Sequence, residues 1–395
     1  FGSSLDVMDC EASVRRCLPR LWLHRFHDPR LGGEFSTIPA SIATASIAPY
    51  SEEEVSDDGL SQHSRFAAIL RGHQLVLHDE AGTQSRSVPL LFSKIDSGID
   101  RVTQTLVIVI VVRNQGSAWL VVVEGDARAA AFMLSAMASA GAIRQDFTAN
   151  YTIAAQPLGS GASGDVYLAS ATEHVVERGY VEEKKLALKI LKSEKGSSTL
   201  TLPNRVRREV FLLAAAQGHP NIVRFHGIFC LEALVHPMRW AVAMDICSGG
   251  DLFDSVAKGT YSEQHTRKVA FGVLSALAHL HGIGIVHRDV KVENVMLTGH
   301  GDPVLVDFGL ACLLSEKKEM CRRCGSPGFV APEVLMEAPC NAKIDVFSTG
   351  CIVYFCQSGR SPFLGSNLSS MLQKTMTLEV KFEKKGLVDL SDGCK

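Results

Sequence analysis

The stretch HRDVKVENVML, residues 287–297, decides how this chain should be interpreted. It places ionisable side chains and an amide within eight positions, and then continues into apolar residues. Asp289, Lys291 and Asn294 fall on one short predicted loop, and a second stretch, VLVDFGL, brings Asp307 ten residues beyond its end. A solvated polar loop and a catalytic loop both fit the composition. The spacing favours the catalytic loop.

The residue types at these positions suit phosphoryl transfer. That reaction needs a carboxylate to orient the attacking hydroxyl and accept its proton, a cation beside the transferred group, and oxygen ligands for Mg²⁺. Asp289 supplies the carboxylate, Lys291 the cation, and Asn294 with Asp307 the metal ligands. The sequence therefore predicts a site for phosphoryl transfer with Mg²⁺.

A glycine-rich stretch lies upstream, LGSGASGDVYLAS at residues 158–170. Gly159, Gly161 and Gly164 would let a strand–turn–strand backbone approach phosphates, because no Cβ intervenes and amide N–H groups can point at the anion. A dinucleotide-binding loop would instead need strand–turn–helix, whereas DVYLAS continues as a strand. A glycine-rich hairpin without a ligand is the remaining alternative.

A lysine and a glutamate that could form an ion pair follow the glycine-rich stretch. Lys189 lies in the middle of LALKILK, which alternates like a strand, and an inward-facing lysine needs an anionic partner. Glu209 lies twenty residues later in a predicted amphipathic helix at residues 204–216 and can be that partner. A surface charge on an edge strand is the alternative for Lys189 alone.

The order of these motifs resembles that of the protein kinase family over residues 151–395. Four further stretches resemble family landmarks: HPNIV (219–223), AMDICSGGDLF (243–253), CGSPGFVAPEV (324–334) and DVFSTGCIVYFCQSGRSPF (345–363). The resemblance implies an α+β bilobal fold, with a β-rich N-lobe at about residues 151–244 and a helical C-lobe at about residues 248–395. Asp345 would hold the catalytic loop.

The resemblance also implies roles for individual residues. Asp289, Lys291, Lys189 and Glu209 would be catalytic, while Asn294 and Asp307 would bind the metal. In the adenine site, the backbones of the hinge residues would face the base and one acidic side chain would reach the ribose. The predicted ATP-binding residues are Leu158, Gly159, Gly161, Gly164, Val166, Lys189, Met244 as gatekeeper, Asp245, Cys247 and Asp251.

The same resemblance bears on substrate class. Lys291, two positions after Asp289, is typical of Ser/Thr kinases, so the expected substrates are protein serine and threonine hydroxyls. CGSPGFVAPE and GGDLF are similar to the calcium/calmodulin-dependent and related kinases. No calcium-binding loop of the D-x-[DN]-x-[DN]-G type occurs in the sequence, so calcium sensing by the chain itself is not expected.

A regulatory site is predicted next to the catalytic carboxylate. Arg288 is a cation that a phosphate on the segment after Asp307 could satisfy. Ser315 and Ser326 are the only hydroxyl residues between Asp307 and Glu333. Ser326 stands where the family usually keeps a structural Thr, so Ser315 is the predicted phosphorylation site.

Two departures from the family pattern keep other functions open. Phe347 stands where many members have Trp, and the chain ends at LVDLSDGCK, before the family's last helices, so the kinase domain is expected to be incomplete. A pseudokinase scaffold, which binds partners without turnover, is therefore one alternative. The presence of Lys189, Asp289, Asn294 and Asp307 argues against it.

The first 145 residues differ from the rest of the chain in composition and in predicted secondary structure. Residues 1–60 contain an Arg-rich stretch and then a Ser-rich and acidic segment, whereas residues 61–145 form a β-rich region followed by a helix at residues 126–143. Five strands are predicted there: RFAAIL, HQLVLH, VPLLF, TLVIVIVV and AWLVVVE. This order is similar to a pleckstrin-homology-like domain, which implies a small β-sandwich or barrel with a C-terminal helix.

Such a domain would give the chain a localising or regulatory module. The nearest candidates for a phosphoinositide site are the basic residues Arg15, Arg16, Arg20 and Arg25, and a solvated surface is the alternative for them. A phosphoinositide-binding adaptor is accordingly a third functional class. In that case a membrane surface would be a partner.

Composition limits the remaining classes. The 395 residues carry a net charge of −2, which gives no global basic field for nucleic acid. Eleven cysteines without the spacing of a secreted scaffold predict a cytoplasmic protein, with recruitment to a membrane left open. The apolar run LVIVIVV, residues 106–112, is too short to span a bilayer and predicts a buried strand.

Overall fold

The computed structural model describes residues 24–27, 66–71, 73–79, 85–99, 106–112, 117–122, 127–144, 147–161, 164–173, 185–192, 204–231, 240–382 and 391. The chain divides into two compact units. The first comprises Phe1–Thr201 and His226–Met244, and the second comprises Leu202–Phe225 and Asp245–Lys395. Arg15, Arg16 and Arg20 lie outside the described residues, as does the segment at 40–60.

The first unit is dominated by strands. Its elements are β1 (His24–His27), β2 (Phe66–Arg71), β3 (Gln74–Asp79), β4 (Ser85–Pro89), β5 (Lys94–Ile99), β6 (Leu106–Val112), β7 (Ser117–Val122), α1 (Ala127–Ser139), β8 (Ile143–Arg144), α2 (Phe147–Asn150), β9 (Tyr151–Ser160), β10 (Gly164–Ala171), β11 (Lys185–Leu191), β12 (Phe225–Cys230) and β13 (Trp240–Met244).

These strands form two sheets. One has the order β1-β2-β3-β4, and the other has nine strands in the order β7-β6-β5-β8-β12-β13-β11-β10-β9. β8 pairs with both β5 and β12, and so joins β5–β7 to the strands of the downstream region. The separate small β domain stays a prediction.

Two details of the predicted strands are wrong. VPLLF was expected to be one strand, but β4 ends at Pro89, and Phe92 has a left-handed φ of 61° in the turn that follows. β5 has no counterpart among the predicted strands, because KIDSGI carries Asp, Ser and Gly, which disfavour strands. Pairing with β6 along its whole length stabilises it nevertheless.

The core of the first unit forms where α2 meets the sheet. Phe147 stacks on Tyr151 at 5.3 Å between ring centroids and meets Phe229 edge-on at 4.9 Å. β12 is buried along its length because it lies between two neighbouring strands. Gly227 has a φ of 123°, and a Cβ there would lie 2.8 Å from the Cβ of Ala138 in α1, so only glycine allows this close approach.

The second unit is mainly helical. Its elements are α3 (Asn204–Ala215), α4 (Leu252–Ala257), α5 (Glu263–Gly282), β14 (Ile285–Val286), a 3₁₀ helix (Val292–Asn294), β15 (Val295–Leu297), β16 (Pro303–Leu305), β17 (Cys312–Leu313), α6 (Lys317–Met320), α7 (Pro332–Leu335), α8 (Lys343–Ser358) and α9 (Leu368–Met376).

Two long helices, α5 and α8, organise the second unit and pack against each other. Ser262 caps α5 by accepting a hydrogen bond from the His265 amide, and α8 ends at Gly359 in the left-handed conformation. The predicted helix at 204–216 is confirmed as α3, and the stretch quoted at 345–363 contains most of α8. Among the described residues, no helix is both long and apolar enough to cross a membrane.

Candidate active site

The loop that begins at His287 is held by a buried carboxylate. Asp345, in α8, is fully buried and accepts hydrogen bonds from the backbone amides of His287 at 2.9 Å and Arg288 at 2.8 Å. His281 Nε2 contacts the same carboxylate at 2.8 Å. Arg288 has a left-handed φ of 68°, which such over-determined anchoring can maintain. The predicted role of Asp345 in holding this loop agrees with these contacts.

His287 connects this loop to the strand that precedes Asp307. Its Nε2 lies 3.1 Å from the carbonyl of Val306, and its Nδ1 lies 3.4 Å from the amide of Asp289. A neutral ring protonated on Nε2 satisfies both contacts, because Nε2 then donates and Nδ1 accepts. The ring also meets Phe308 edge-on at 5.1 Å. The two predicted catalytic segments are thus fixed to each other.

The carboxylate of Asp289 lies at the centre of a polar cluster. Lys291 Nζ lies 2.9 Å from Oδ2, and Ser326 Oγ donates to Oδ1 at 2.8 Å. Lys291 also donates to Ser326 Oγ at 2.8 Å. These contacts orient the Asp289 carboxylate. A carboxylate fixed in this way can accept a proton from a hydroxyl.

Asn294 and Asp307, the predicted metal ligands, occupy neighbouring segments. Asn294 Nδ2 donates to the carbonyl of Asp289 at 2.9 Å and to its Oδ2 at 3.0 Å, so the amide is oriented with nitrogen toward Asp289. The amide of Val306, the residue before Asp307, donates to the Asn294 backbone carbonyl at 3.0 Å. This hydrogen bond places the two segments next to each other. An amide oxygen and a carboxylate are ligands that suit Mg²⁺.

Asp307 and Glu209 approach the same glycine. Asp307 has a left-handed φ of 60° and accepts a hydrogen bond from the Gly309 amide at 3.2 Å. A Cβ on Gly309 would lie 3.1 Å from Asp307 Oδ1 and 3.7 Å from Glu209 Oε2. Glu209 is buried in α3. The second unit therefore brings Glu209 to the segment after β16 that carries Asp307.

Lys189 lies in the first unit, on β11. Its side chain is buried, as predicted, and so is that of its neighbour Leu188. Glu209 belongs to the second unit. The Lys189–Glu209 ion pair stays a prediction.

The glycine-rich stretch forms the hairpin β9–β10, as predicted. The Gly161 amide donates to the Gly164 carbonyl at 2.9 Å, and Lys192 donates to the Gly161 carbonyl at 2.8 Å. A Cβ on Gly164 would collide with the Ile190 carbonyl of β11, so this glycine is required for strand packing. Gly159 has no atom within 4 Å of such a Cβ, which leaves open space beside the hairpin. Flanking it, Leu158 is exposed and Val166 half-buried.

The predicted adenine-binding segment follows Met244, the last residue of β13. The amide of Asp245 donates to the Arg224 carbonyl at 3.1 Å, and the Cys247 carbonyl accepts from the Gly250 amide at 3.3 Å. Burial, and then the nearby Asp245 carboxylate, raise the pKa of the Cys247 thiol to about 11. Cys247 is therefore a neutral thiol at physiological pH.

Asp251 has a local role that the sequence interpretation missed. Its Oδ1 accepts a hydrogen bond from the Asp254 amide at 2.7 Å and caps α4. The pattern of an Asp before an apolar helical run was the available signal. The predicted contact with ribose would come from the same side chain.

The regulatory residues have unexpected neighbours. Arg288 is buried and donates to Cys324 Sγ and to the Arg322 carbonyl, with Glu319 Oε2 at 3.9 Å. Ser315 is exposed. Ser326, by contrast, lies against Asp289 and Lys291, where the sequence places a structural hydroxyl. The sequence did not indicate that Glu319, Arg322 and Cys324 lie beside Arg288.

These features converge on one family. Residues 152–394 match the sequence profile of the protein kinase domain. The chain belongs to the protein kinase family.

Individual relatives carry the same description. Serine/threonine-protein kinase PEPKR2 of Arabidopsis thaliana is 34% identical over 226 residues, 57% of this chain and 43% of that protein. Myosin light chain kinase A of Dictyostelium discoideum is 32% identical over 232 residues, 58% of this chain and 73% of that protein. CBL-interacting protein kinase 16 of Oryza sativa is 33% identical over 198 residues, 49% and 42% of the two chains. The matched region spans less than half of the first and third relatives.

Proposed function

We propose that this protein is a Ser/Thr protein kinase that transfers the γ-phosphoryl group of ATP to a serine or threonine hydroxyl of a protein substrate. The observation that carries the proposal is the Asp289 carboxylate fixed between Lys291 and Ser326. The carboxylate is presented by a loop that Asp345 anchors, so its position is set before substrate arrives.

Each residue then has one task. Asp289 orients the substrate hydroxyl and accepts its proton, and Lys291 stabilises negative charge beside the transferred group. Asn294 and Asp307 would hold Mg²⁺, which supplies neutralising charge to the ATP phosphates when bound. Lys189 would bind the phosphates, and the backbone of the β9–β10 hairpin would cover them.

The nucleotide would lie against apolar side chains and hinge backbone. Leu158 and Val166 flank the glycines, and Met244 ends the strand that leads into the hinge. The backbone of the hinge residues that follow Met244, Asp245 and Cys247, would face adenine. The neutral Cys247 thiol adds no charge there.

The choice of serine and threonine rests on Lys291 and on the names of the relatives, which are Ser/Thr kinases by description. Membership of the calcium/calmodulin-dependent group is a narrower proposal and rests on the CGSPGFVAPE and GGDLF stretches. A pseudokinase scaffold is the second candidate. It is disfavoured because a scaffold does not need the oriented Asp289 cluster.

We further propose that the region before residue 145 is a localising or regulatory module of a cytoplasmic kinase, similar to a pleckstrin-homology-like domain. Its support is the order of three antiparallel strands, β5–β7, followed by α1. Arg144, in β8, is buried with its guanidinium 4.9 Å above the Phe229 ring. Sedimentation of the full chain with phosphoinositide-containing liposomes and with neutral liposomes tests lipid binding.

Phosphoryl transfer to matched peptides tests the main proposal. Three peptides that differ only in the acceptor, Ser, Thr or Tyr, are incubated with the full chain, ATP and Mg²⁺. We expect phosphorylation of the Ser and Thr peptides, loss of it with EDTA, and none on Tyr. ATP binding without transfer to any peptide or protein acceptor would favour the scaffold.

A further inference from the structure

We propose that Arg208 and Glu316 are positioning residues for phosphoryl transfer, and that their ion pair orders the segment after Asp307 without phosphorylation. The proposal rests on the proposed kinase function. It also replaces the prediction that a phosphate on Ser315 supplies the negative charge. The two residues lie 108 positions apart in the sequence and both belong to the second unit.

The ion pair connects α3 to the segment that carries Asp307. Arg208 precedes Glu209 in α3, and its Nη2 contacts the Glu316 carboxylate. The same guanidinium donates through Nε to the Ala311 carbonyl at 3.4 Å, four residues after Asp307. One side chain thus fixes the position of α3, and of Glu209, relative to the metal-binding segment.

Glu316 continues this connection to the catalytic loop. The oxygen that contacts Arg208 also accepts a hydrogen bond from the Leu313 amide at 2.9 Å. Leu313 is in β17, which pairs with β14 at Ile285. β14 leads directly into His287 and Asp289. The contacts therefore run without a gap from α3 to the catalytic carboxylate.

A second carboxylate in the same stretch faces the second arginine. Glu319 Oε2 lies 3.9 Å from Nη1 of Arg288, whose side chain is 4% exposed. Phosphates order kinase activation segments by pairing with arginines. Here carboxylates already lie beside both Arg208 and Arg288. A phosphate on Ser315 would add negative charge next to Glu316, where the arginine is already paired.

The solvent exposure of the pair makes the proposal testable without unfolding the protein. The side chains of Arg208 and Glu316 are 35% and 36% exposed, and partly exposed ion pairs contribute little to global stability. Breaking the pair should therefore alter the geometry of the site more than the fold. Glu316→Gln removes the charge but keeps an acceptor for the Leu313 amide, whereas Glu316→Ala removes both.

The experiment compares the full chain before and after phosphatase treatment with four variants. These are Glu316→Gln, Glu316→Ala, the charge swap Arg208→Glu with Glu316→Arg, and the control Glu337→Gln, whose carboxylate pairs with Arg323. We expect dephosphorylated protein to keep most of its activity. Glu316→Gln should lower kcat about ten-fold with a smaller change in KM for ATP. The charge swap re-forms the ion pair but removes the hydrogen bonds to the Leu313 amide and the Ala311 carbonyl, so it should recover activity only in part. Glu337→Gln should match the unmodified chain.

Hydrogen exchange of the Leu313 amide gives a readout that does not need activity. Exchange should be faster in Glu316→Ala and close to normal in Glu337→Gln. Loss of activity on dephosphorylation, or an unchanged kcat in Glu316→Gln, would overturn the proposal. If neither the phosphorylated nor the dephosphorylated protein transfers phosphate, the proposed kinase function is wrong. In that case, unchanged exchange of the Leu313 amide in Glu316→Ala would also show that the ion pair does not order the segment.

Discussion

Replacing Asp345 by Asn should destabilise the protein severely, because this side chain is the anchor of the catalytic loop. The carboxylate is fully buried and accepts three hydrogen bonds, from the amides of His287 at 2.9 Å and Arg288 at 2.8 Å and from His281 Nε2 at 2.8 Å. An Asn side chain has the same shape but only one acceptor oxygen. Its NH₂ group must face one of these donors.

The cost follows from those contacts. A hydrogen bond to a charged group contributes roughly 1.5–3 kcal/mol, and leaving a buried donor unsatisfied costs roughly 1–3 kcal/mol. The free energy of unfolding should therefore fall by about 3–5 kcal/mol, a large part of the 5–15 kcal/mol typical of a domain. Urea denaturation followed by circular dichroism measures it.

The matched control is Asp302→Asn. Asp302 pairs with Lys268 on the surface, with 49% of its side chain exposed, so the urea midpoint should not move measurably. Equal midpoints for Asp345→Asn and the unmodified protein would show that the buried hydrogen bonds do not hold the loop. Restoration of activity in Asp345→Asn at low temperature would not be expected, because the loop itself is misplaced.

Three further outcomes are expected. Lys189→Met should weaken ATP binding at least about ten-fold in calorimetric titration, and unchanged affinity would remove this lysine from the nucleotide site. Burial, and then His279, lower the pKa of His219 below its usual 6.5. The stability that His219 contributes is therefore present above pH 6.5 and is lost as pH falls below that value. In urea denaturation, His219→Gln should make the free energy of unfolding depend less on pH between pH 5 and 7. Cys247, with a pKa of about 11, should react with maleimide at pH 7.5 about ten-fold or more slowly than the exposed Cys321, measured by peptide mass spectrometry.

Local spacing predicted the part of the site that lies within a few residues. Asp289, Lys291 and Asn294 meet because a short loop and a 3₁₀ helix allow little freedom, and their mutual contacts agree with the predicted cluster. Lys189 is buried as expected, although its neighbour Leu188 on the opposite face of the strand is buried too, so alternation alone does not explain its burial. Contacts between site residues that are close in the sequence could therefore be predicted from the sequence.

Contacts between distant segments were not accessible in the same way. Nothing near Arg208 in the sequence indicates that it contacts Glu316, and no periodic pattern of residues relates the two positions. β8 is two residues long and carries no pattern, yet it joins β5 to β12 and changes the architecture of the first unit. Such features depend on tertiary pairing, which overrides local propensity.

Transfer of the labelled γ-phosphoryl group of ATP to a serine peptide, measured for the full chain and for Asp289→Asn, tests the central claim most directly. The account predicts that the unmodified chain labels the peptide in the presence of Mg²⁺. Asp289→Asn should be slower by at least about 100-fold while ATP affinity is retained, because only the proton acceptor is lost. Near-equal labelling rates for the two proteins would contradict the assignment of Asp289 and with it the proposed mechanism.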